Sequence, residues 1–207
     1  VRGNGYNLTK VGTGQVWFYN CDETDLGDIE VVAGTLGVHS GVRITGLGDP
    51  SKTLTLQPGS TFTLWQVPTL DKQLIMNRAT VSSGFTGDGS NTFLGPITLN
   101  LTNTFSLGSA DLHLSNSISG SGGLTKTGVK TLYLHGPNTY TGPTTINNNS
   151  GAIVLGAESS LASEVIQIGT GSVLDVSRLT ALTLGNGQFL GGNNGKVLGN
   201  VILGAGA

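Results

Sequence analysis

Residues 165–184 read VIQIGTGSVLDVSRLTALTL, and apolar residues recur in this stretch as pairs two positions apart. Successive pairs begin eight residues apart, and the pairs are Ile166/Ile168, Leu174/Val176 and Leu182/Leu184. In a β-strand, alternate side chains point to opposite faces, so both members of a pair share one face. Glycine, asparagine or aspartate usually follows a pair within a few residues, and these residues favour turns. The stretch therefore predicts short strands joined by tight turns, each with one buried face.

The pairs also recur at a longer interval along the chain. Leu132, Ile153 and Leu174 each begin a pair, and they are spaced 21 residues apart. Further pairs are Leu54/Leu56, Phe62/Leu64, Ile97/Leu99 and Leu112/Leu114. A β-sandwich accounts for the short interval alone, whereas the long interval indicates a solenoid coil of two or three strands. At about 20–25 residues per coil, the sequence predicts an all-β fold, a parallel β-helix (β-solenoid) of roughly eight to ten coils.

The composition excludes several classes of protein. Glycine is frequent, at 34 of 207 residues, but it follows no three-residue period, which excludes collagen. Charged residues make up 11%, less than half the usual share of about 25%, while threonine, serine and asparagine fill the gaps between apolar residues. A hydrophobic content of 37% is too high for a disordered chain. The net charge of -2, with scattered basic residues, argues against a nucleic-acid binder.

An internal repeat has an offset of 116 residues. Residues 8–12 read LTKVG and residues 124–128 read LTKTG, and the alignment continues from 16–19 to 132–135. Self-similarity over this distance predicts an array of coils rather than a unique globular core. We therefore predict one β-solenoid over residues 1–207, with divergent repeat copies at about 1–50 and 117–160, irregular coils between them, and C-terminal coils at 161–207.

The second copy carries a specific order of motifs. Residues 120–156 read GSGGLTKTGVKTLYLHGPNTYTGPTTINNNSGAIVLG. The LTKTG motif is followed by the alternating LYL of residues 132–134, NTYTG at 138–142 and TTI at 144–146. This order resembles the autotransporter-associated β-strand repeat, also called the passenger-associated transport repeat. The first copy departs from that pattern, because residues 20–27 read NCDETDLG where the NTYTG turn should be.

The resemblance implies a right-handed β-helix displayed outside a bacterial cell, often within a very large exported protein. It implies a secreted or cell-surface location and no active site. The chain begins at Val1 rather than at methionine, which favours a mature product or an excised segment.

A cluster of acidic residues is the first candidate for a metal site. It holds five of the twelve acidic residues, namely Asp22, Glu23, Asp25, Asp28 and Glu30. Several carboxylates together are typical of calcium sites, but the regular aspartate spacing of calcium-binding repeats is missing. A solvated loop in a degenerate copy is the favoured interpretation, and calcium binding by residues 22–30 stays open. Cys21 is alone, so the sequence excludes an intrachain disulfide and a cysteine-based metal site.

Two further motifs are better explained as turns. The sequence DGSN at residues 88–91 resembles part of a calcium loop, but a plain Asp-Gly turn is favoured. His39, followed by Arg43, is similar to pairs in β-helical glycan hydrolases, which also need clustered carboxylates. The next acid is Asp49, beside Pro50, so no acid–base partner can be named. We assign no catalytic, cofactor-binding or metal-binding residue, and no cofactor.

Aromatic side chains offer a candidate strip for stacking sugars. The candidates are Trp17, Tyr19, Trp65, Tyr133 and Tyr140. Trp17 and Tyr133 occupy matching positions in the two copies and are predicted to face outward, although aromatic capping of the coil stack explains them equally well. His113 and His135 alternate with inward leucines and are predicted to lie on the surface.

The sequence favours a non-catalytic, extracellular structural or adhesive β-solenoid, either a surface-displayed stalk or a subunit of an extracellular filament. The expected partners are further copies stacked end to end, or the continuation of a longer chain, with surface glycans as possible ligands. We expect no nucleic-acid partner and no membrane insertion by this segment. The alternative is a β-helical protein that binds or degrades polysaccharides, and a β-sandwich carbohydrate-binding module is disfavoured by the 21-residue interval.

Overall fold

The computed structural model describes residues 3–22, 24–41 and 46–207, and these ranges form strands and turns without a helix. Accordingly, they contain no helix of the length and hydrophobicity that crossing a bilayer requires. The strands in chain order are β1 (Leu8–Lys10), β2 (Gln15–Phe18), β3 (Ile29–Val31), β4 (Thr35–Val38), β5 (Thr53–Leu56), β6 (Thr61–Trp65), β7 (Gln73–Met76), β8 (Thr80–Gly84), β9 (Ser90–Phe93), β10 (Ile97–Leu99), β11 (Asn103–Leu107), β12 (Asp111–Leu114), β13 (Ile118–Ser119), β14 (Leu124–Thr127), β15 (Leu132–Leu134), β16 (Pro137–Asn138), β17 (Thr144–Ile146), β18 (Ala152–Leu155), β19 (Ser160–Leu161), β20 (Val165–Ile168), β21 (Val173–Asp175), β22 (Leu182–Leu184), β23 (Phe189–Gly192), β24 (Lys196–Leu198) and β25 (Val201–Leu203).

The strands stack into three parallel sheets. Sheet A has the order β1-β3-β5-β7-β10-β13-β16-β19, sheet B has β2-β4-β6-β8-β11-β14-β17-β20-β23, and sheet C has β9-β12-β15-β18-β21-β24. Strands β22 and β25 form a separate parallel pair. Each coil contributes one strand to sheet B, whose nine strands therefore count nine coils. The prediction of a β-solenoid with roughly eight to ten coils is confirmed.

The path of the chain changes after the first three coils. From β7 to β21 the chain visits sheets A, B and C in turn, so that β7, β8 and β9 make one complete circuit, and beyond β21 the pair β22 and β25 takes the place of sheet A. The earlier coils place strands in sheets A and B, and irregular connections follow β2, β4 and β6. One of these connections approaches sheet C through an isolated parallel bridge between Leu70 and Phe93.

The register of sheet C reproduces the interval read from the sequence. Leu132 pairs with Ile153, and Ile153 pairs with Leu174, so residues 21 positions apart lie side by side in neighbouring coils. The eight-residue interval corresponds to the step from one side of a coil to the next, since Ile166 lies in β20, Leu174 in β21 and Leu182 in β22. The 21-residue interval is therefore the length of one coil, and the eight-residue interval is the length of one of its sides.

The core is a continuous column of the inward apolar pairs. All nine pairs identified in the sequence are buried, and no member is more than 4% exposed. Burying one such aliphatic side chain contributes about 1.5–3 kcal/mol relative to leaving it in water. Because each inward residue stacks on its counterpart in the next coil, this contribution is repeated along the whole column.

The two copies of the internal repeat lie in different sheets. The LTK of the first copy forms β1 in sheet A, whereas the LTK of the second forms β14 in sheet B. What the copies share is the corner that follows, where Gly12 and Gly128 have positive φ angles of 74° and 78°. Glycine adopts this left-handed conformation without steric cost, so the repeat encodes a strand and its corner rather than a particular side of the coil.

Candidate functional site

The lysine of the LTK motif points into the core in both copies. The Lys126 side chain is fully buried, and its ammonium group donates to the carbonyl oxygens of Thr127, Gly128 and Ser150 at 3.0, 2.6 and 2.7 Å. Its location follows from strand alternation, since Lys126 shares a side with the inward Leu124. The ammonium group therefore joins its own corner to the corner of the next coil.

Lys10 makes the equivalent contacts at the first copy. Its ammonium group donates to the carbonyl oxygens of Val11, Gly12 and Ala33 at 3.0, 2.6 and 2.9 Å. Since the two corners lie on different sides of the solenoid, this arrangement belongs to the motif and not to one face. Sequence reasoning missed it because a lysine is rarely buried.

A third buried lysine, Lys72, connects two coils without the LTK motif. Its ammonium group donates to the carbonyl oxygens of Gly27 and Asp49 at 3.0 and 2.9 Å. Burial lowers the pKa of Lys72, and burial lowers the pKa of Lys126 to about 8. Both amines donate to backbone carbonyl oxygens of neighbouring coils.

The outward side of sheet B carries two columns of hydroxyl groups. In the first column, each residue pairs with the next across neighbouring strands, and its members are Thr35, Thr61, Thr80, Thr104, Thr125 and Thr145. The second column consists of Thr63, Ser82, Ser106 and Thr127. We call these ten residues the hydroxyl face. Within it, the Thr63 and Ser82 hydroxyl oxygens lie 2.8 Å apart, so they share a hydrogen bond.

Sheets A and C have a different outward composition. Sheet A carries Glu30 and Ile75 among its outward residues, and sheet C carries Asp111, His113 and Asp175. In contrast, the outward positions of the described strands of sheet B hold no charged residue. Sheet B thus carries continuous hydroxyl columns and no outward charge on its described strands, although Trp17, Trp65 and Phe189 also lie outward on it.

Aromatic side chains cover the first coils beside the hydroxyl face. The Tyr19 and His39 rings are stacked with centroids 4.6 Å apart, and the His39 and Trp65 rings follow at 6.2 Å. The Trp17 ring lies against Gly37 of the neighbouring strand, where a Cβ atom would collide with the indole. Trp17, Tyr19 and Trp65 of the candidate strip are therefore brought together with His39, which the sequence did not connect with them.

The remaining two members of the candidate strip lie elsewhere. Tyr133 stacks on His113 in sheet C, with ring centroids 4.2 Å apart, and the Arg178 guanidinium carbon lies 5.7 Å from the Tyr133 ring centroid. Tyr140 is fully buried, and its hydroxyl lies 2.6 Å from that of Thr144. The inclusion of Tyr140 in an exposed strip is wrong, because its ring fills the core beside a corner and burial raises its pKa.

His113 and His135 are partly exposed, as their alternation with inward leucines predicted. His113 Nδ1 and His135 Nε2 lie 3.0 Å apart. Burial is the main cause that lowers the pKa of both rings. The neighbouring His135 lowers the pKa of His113 further, and the positive charge of Arg178 lowers that of His135. The pair therefore favours its neutral form.

Two carboxylates of the acidic cluster, those of Asp28 and Glu30, have separate hydrogen-bond partners. The Asp28 carboxylate accepts a hydrogen bond from the backbone amide of Thr53 at 2.9 Å, and this bond is the main reason for its lowered pKa. Glu30 accepts from the Gln57 side chain at 2.6 Å. Glu23 lies outside the described residues, and no group of three or more metal-binding side chains occurs within the described ranges.

The two turn motifs have structural partners. Asp88 forms an ion pair with Lys130 at 3.0 Å, while the buried Asn91 amide donates to the Ser83 hydroxyl at 2.7 Å. His39 Nδ1 lies 2.8 Å from the Ser40 hydroxyl, and Arg43 lies outside the described residues. Cys21 is buried.

An open groove lies at the far end of sheet B. Its volume is about 720 Å³, and Thr145, Gln167, Asn147 and the half-exposed ring of Phe189 line it. Its hydroxyl and amide groups continue the neutral character of the hydroxyl face. No cluster of ionisable groups accompanies it.

The comparison with protein families identifies the second copy. Residues 124–149 match the family model described as passenger-associated-transport-repeat. This segment is similar to a passenger-associated transport repeat. It comprises β14 to β17, together with the buried Lys126 and Tyr140. No curated protein and no solved structure matches the chain.

Proposed function

We propose that this chain is a non-catalytic structural segment of an exported bacterial passenger, held outside the cell as a stiff stalk or as a subunit of an extracellular filament. The observation that carries the proposal is the unbroken parallel register of sheet B across all nine coils, including the passenger-associated transport repeat. Parallel coils that share a backbone ladder and one core column form a rod, and rods serve as spacers and displays.

The buried lysines support the same role. Lys10, Lys72 and Lys126 each connect different coils through hydrogen bonds to backbone carbonyls. A charged group that donates to backbone carbonyls holds them more strongly than a neutral donor. These contacts stiffen the corners, where a solenoid has no ladder of its own.

Display outside the cell can be tested with the full-length parent protein. We expect antibodies raised against the outward residues of sheet B to label intact, unpermeabilised cells, and external protease to remove the signal. Labelling that appears only after permeabilisation would contradict the proposal. A cytoplasmic protein released by lysis serves as the control for cell integrity.

We propose that the partner of this chain is a second copy of itself. On β25, Ile202 is 53% exposed and Leu203 is 71% exposed, so either the next coil of a longer chain or a second copy would cover them. We expect the sedimentation coefficient of the 207-residue chain to rise with concentration, and Leu203→Lys to abolish that rise. A monomer at every concentration would contradict association between copies.

A glycan-binding role is the second candidate, and the exposed aromatic cluster favours it. Tyr19 is 59% exposed and stacks on His39, and aromatic faces of this kind bind the apolar faces of sugars. We expect Tyr19→Ala to abolish any signal that the chain gives on a glycan array. Tyr6→Ala is the control, because Tyr6 is also exposed, at 75%.

A further inference from the structure

The hydroxyl face is the most regular feature of the molecular surface. Its first column places one threonine on each of six successive strands, from Thr35 to Thr145. Neighbouring strands in a sheet lie about 4.7–4.9 Å apart, so the column extends over about 24 Å. The second column runs beside it, two residues further along each strand, from Thr63 to Thr127.

Strand propensity does not explain this array. Threonine is common in strands because its branched side chain suits a pleated surface, and that preference acts equally on all three sheets. The matching outward column of sheet A also contains Thr9, Thr55 and Thr98, but Glu30 and Ile75 interrupt it. Sheet C carries Asp111, His113 and Tyr133 among its outward residues. Among the described strands, an uninterrupted run of six threonines therefore occurs on sheet B alone, which indicates a requirement of that face.

The chemistry of the face defines its partner. Each threonine or serine hydroxyl both donates and accepts, and no outward charge lies on the described strands of sheet B. The side chains of both columns are partly buried by their neighbours, so none of them stands above the array. A partner that contacts all of them must be extended, uncharged and periodic, with hydrogen-bonding groups at the spacing of the strands.

Ice has these properties. Two hydrogen bonds of about 2.75 Å on one tetrahedral water place its two oxygen partners about 4.5 Å apart, which is close to the strand spacing. Many weak contacts then act together, as in any multivalent interaction.

We propose that the hydroxyl face of sheet B is an ice-binding surface. Its site consists of the two columns, with Thr104 and Ser106 at their centre, and its ligand is the surface of an ice crystal. This role is independent of the stalk function, because a rod can display such a face or lack it.

The test uses the whole chain in solution at temperatures just below freezing. We expect it to shape single ice crystals into facets, to produce thermal hysteresis and to inhibit recrystallisation. Thr104→Lys, which places a long charged chain in the centre of the array, is expected to reduce all three to the level of buffer. Thr104→Ser, which keeps the hydroxyl, should retain most of the activity.

Thr98→Lys is the matched control. Thr98 lies in the same coil, on β10 of sheet A, with the same residue type, a comparable exposure and a mid-strand position. We expect Thr98→Lys to keep full activity, and circular dichroism with thermal melting confirms that both lysine variants are folded.

Three outcomes would overturn the proposal. The first is a wild-type chain without effect on ice, and the second is an equal loss of activity in Thr98→Lys and Thr104→Lys. The third is a chain that is inactive on ice but sediments with insoluble cellulose or chitin, and whose sedimentation Thr104→Lys blocks. The last outcome assigns the face to a crystalline polysaccharide instead.

Discussion

The ammonium group of Lys126 lies 2.7 Å from the carbonyl oxygen of Ser150, although 24 residues separate them in sequence. The same ammonium group also donates to Thr127 and Gly128, so one side chain holds two consecutive corners. The segment that matches the passenger-associated transport repeat thus places a cation inside the solenoid, where it donates to three corner carbonyls.

Replacing this lysine should destabilise the fold. We expect Lys126→Met to lower the free energy of unfolding by about 2–4 kcal/mol, because one buried and two partly buried carbonyl acceptors lose their donor. Urea unfolding followed by circular dichroism measures the change. Lys196→Met removes an exposed lysine from β24 and should change the stability by less than about 0.5 kcal/mol. Equal effects of the two substitutions would contradict the structural role of Lys126.

The stacked histidines should make stability depend on pH. The folded state lowers the pKa of His113 and His135, so the unfolded chain binds more protons in mild acid and stability rises with pH. This contribution is complete above the ordinary histidine pKa of 6.5 and is lost as pH falls through the lowered values. We expect the melting temperature to fall between pH 7.5 and pH 5, and less so in a His113→Gln/His135→Gln variant. His39→Gln, outside the pair, should behave like the wild type.

Removing one whole coil should leave a shorter folded rod. Deletion of residues 153–173 brings Leu174 into the place of Ile153, with which it pairs in register. We expect native-like circular dichroism and, from small-angle scattering, a rod shorter by about 4.8 Å. Deletion of residues 153–162 shifts the register by about half a coil and should prevent folding. A half-coil deletion that folds as well as the full one would argue against the in-register stack.

The glycine beneath Trp17 should be intolerant of a side chain. A Cβ atom at Gly37 would collide with the indole ring, so we expect Gly37→Val to displace Trp17 and to cost about 1–3 kcal/mol. Tryptophan near-ultraviolet circular dichroism and urea unfolding report the two effects. Gly14→Ala is the control, because nothing lies within 4 Å of a Cβ atom there. Unchanged spectra in Gly37→Val would show that the position of the Trp17 ring does not depend on the absence of a side chain at residue 37.

Local alternation explains why so much of the core could be predicted. Residues such as Leu132 and Leu134 are identified as inward by their period alone, and both are fully buried. The same rule places Lys126 inward with Leu124, but its charge made exposure the expected outcome. Tyr140 was misjudged for another reason, since it lies in the connection between β16 and β17, where no pair of apolar residues two positions apart marks the inward side.

The sequence by itself determined the strands, their inward residues and the 21-residue interval, because these depend on spacing along the chain. Only the tertiary structure decided which side of the coil each strand occupies, so that two copies of one motif lie in sheets A and B. It also decided which residues of different coils become neighbours, including the threonines of the hydroxyl face and the carbonyl partners of the buried lysines. The physical reason is that coil lengths vary, with pairing offsets of 20 residues between Leu112 and Leu132 and 25 between Ile29 and Leu54. Stacking of the core and the backbone ladder, rather than a fixed count of residues, sets the position of each strand.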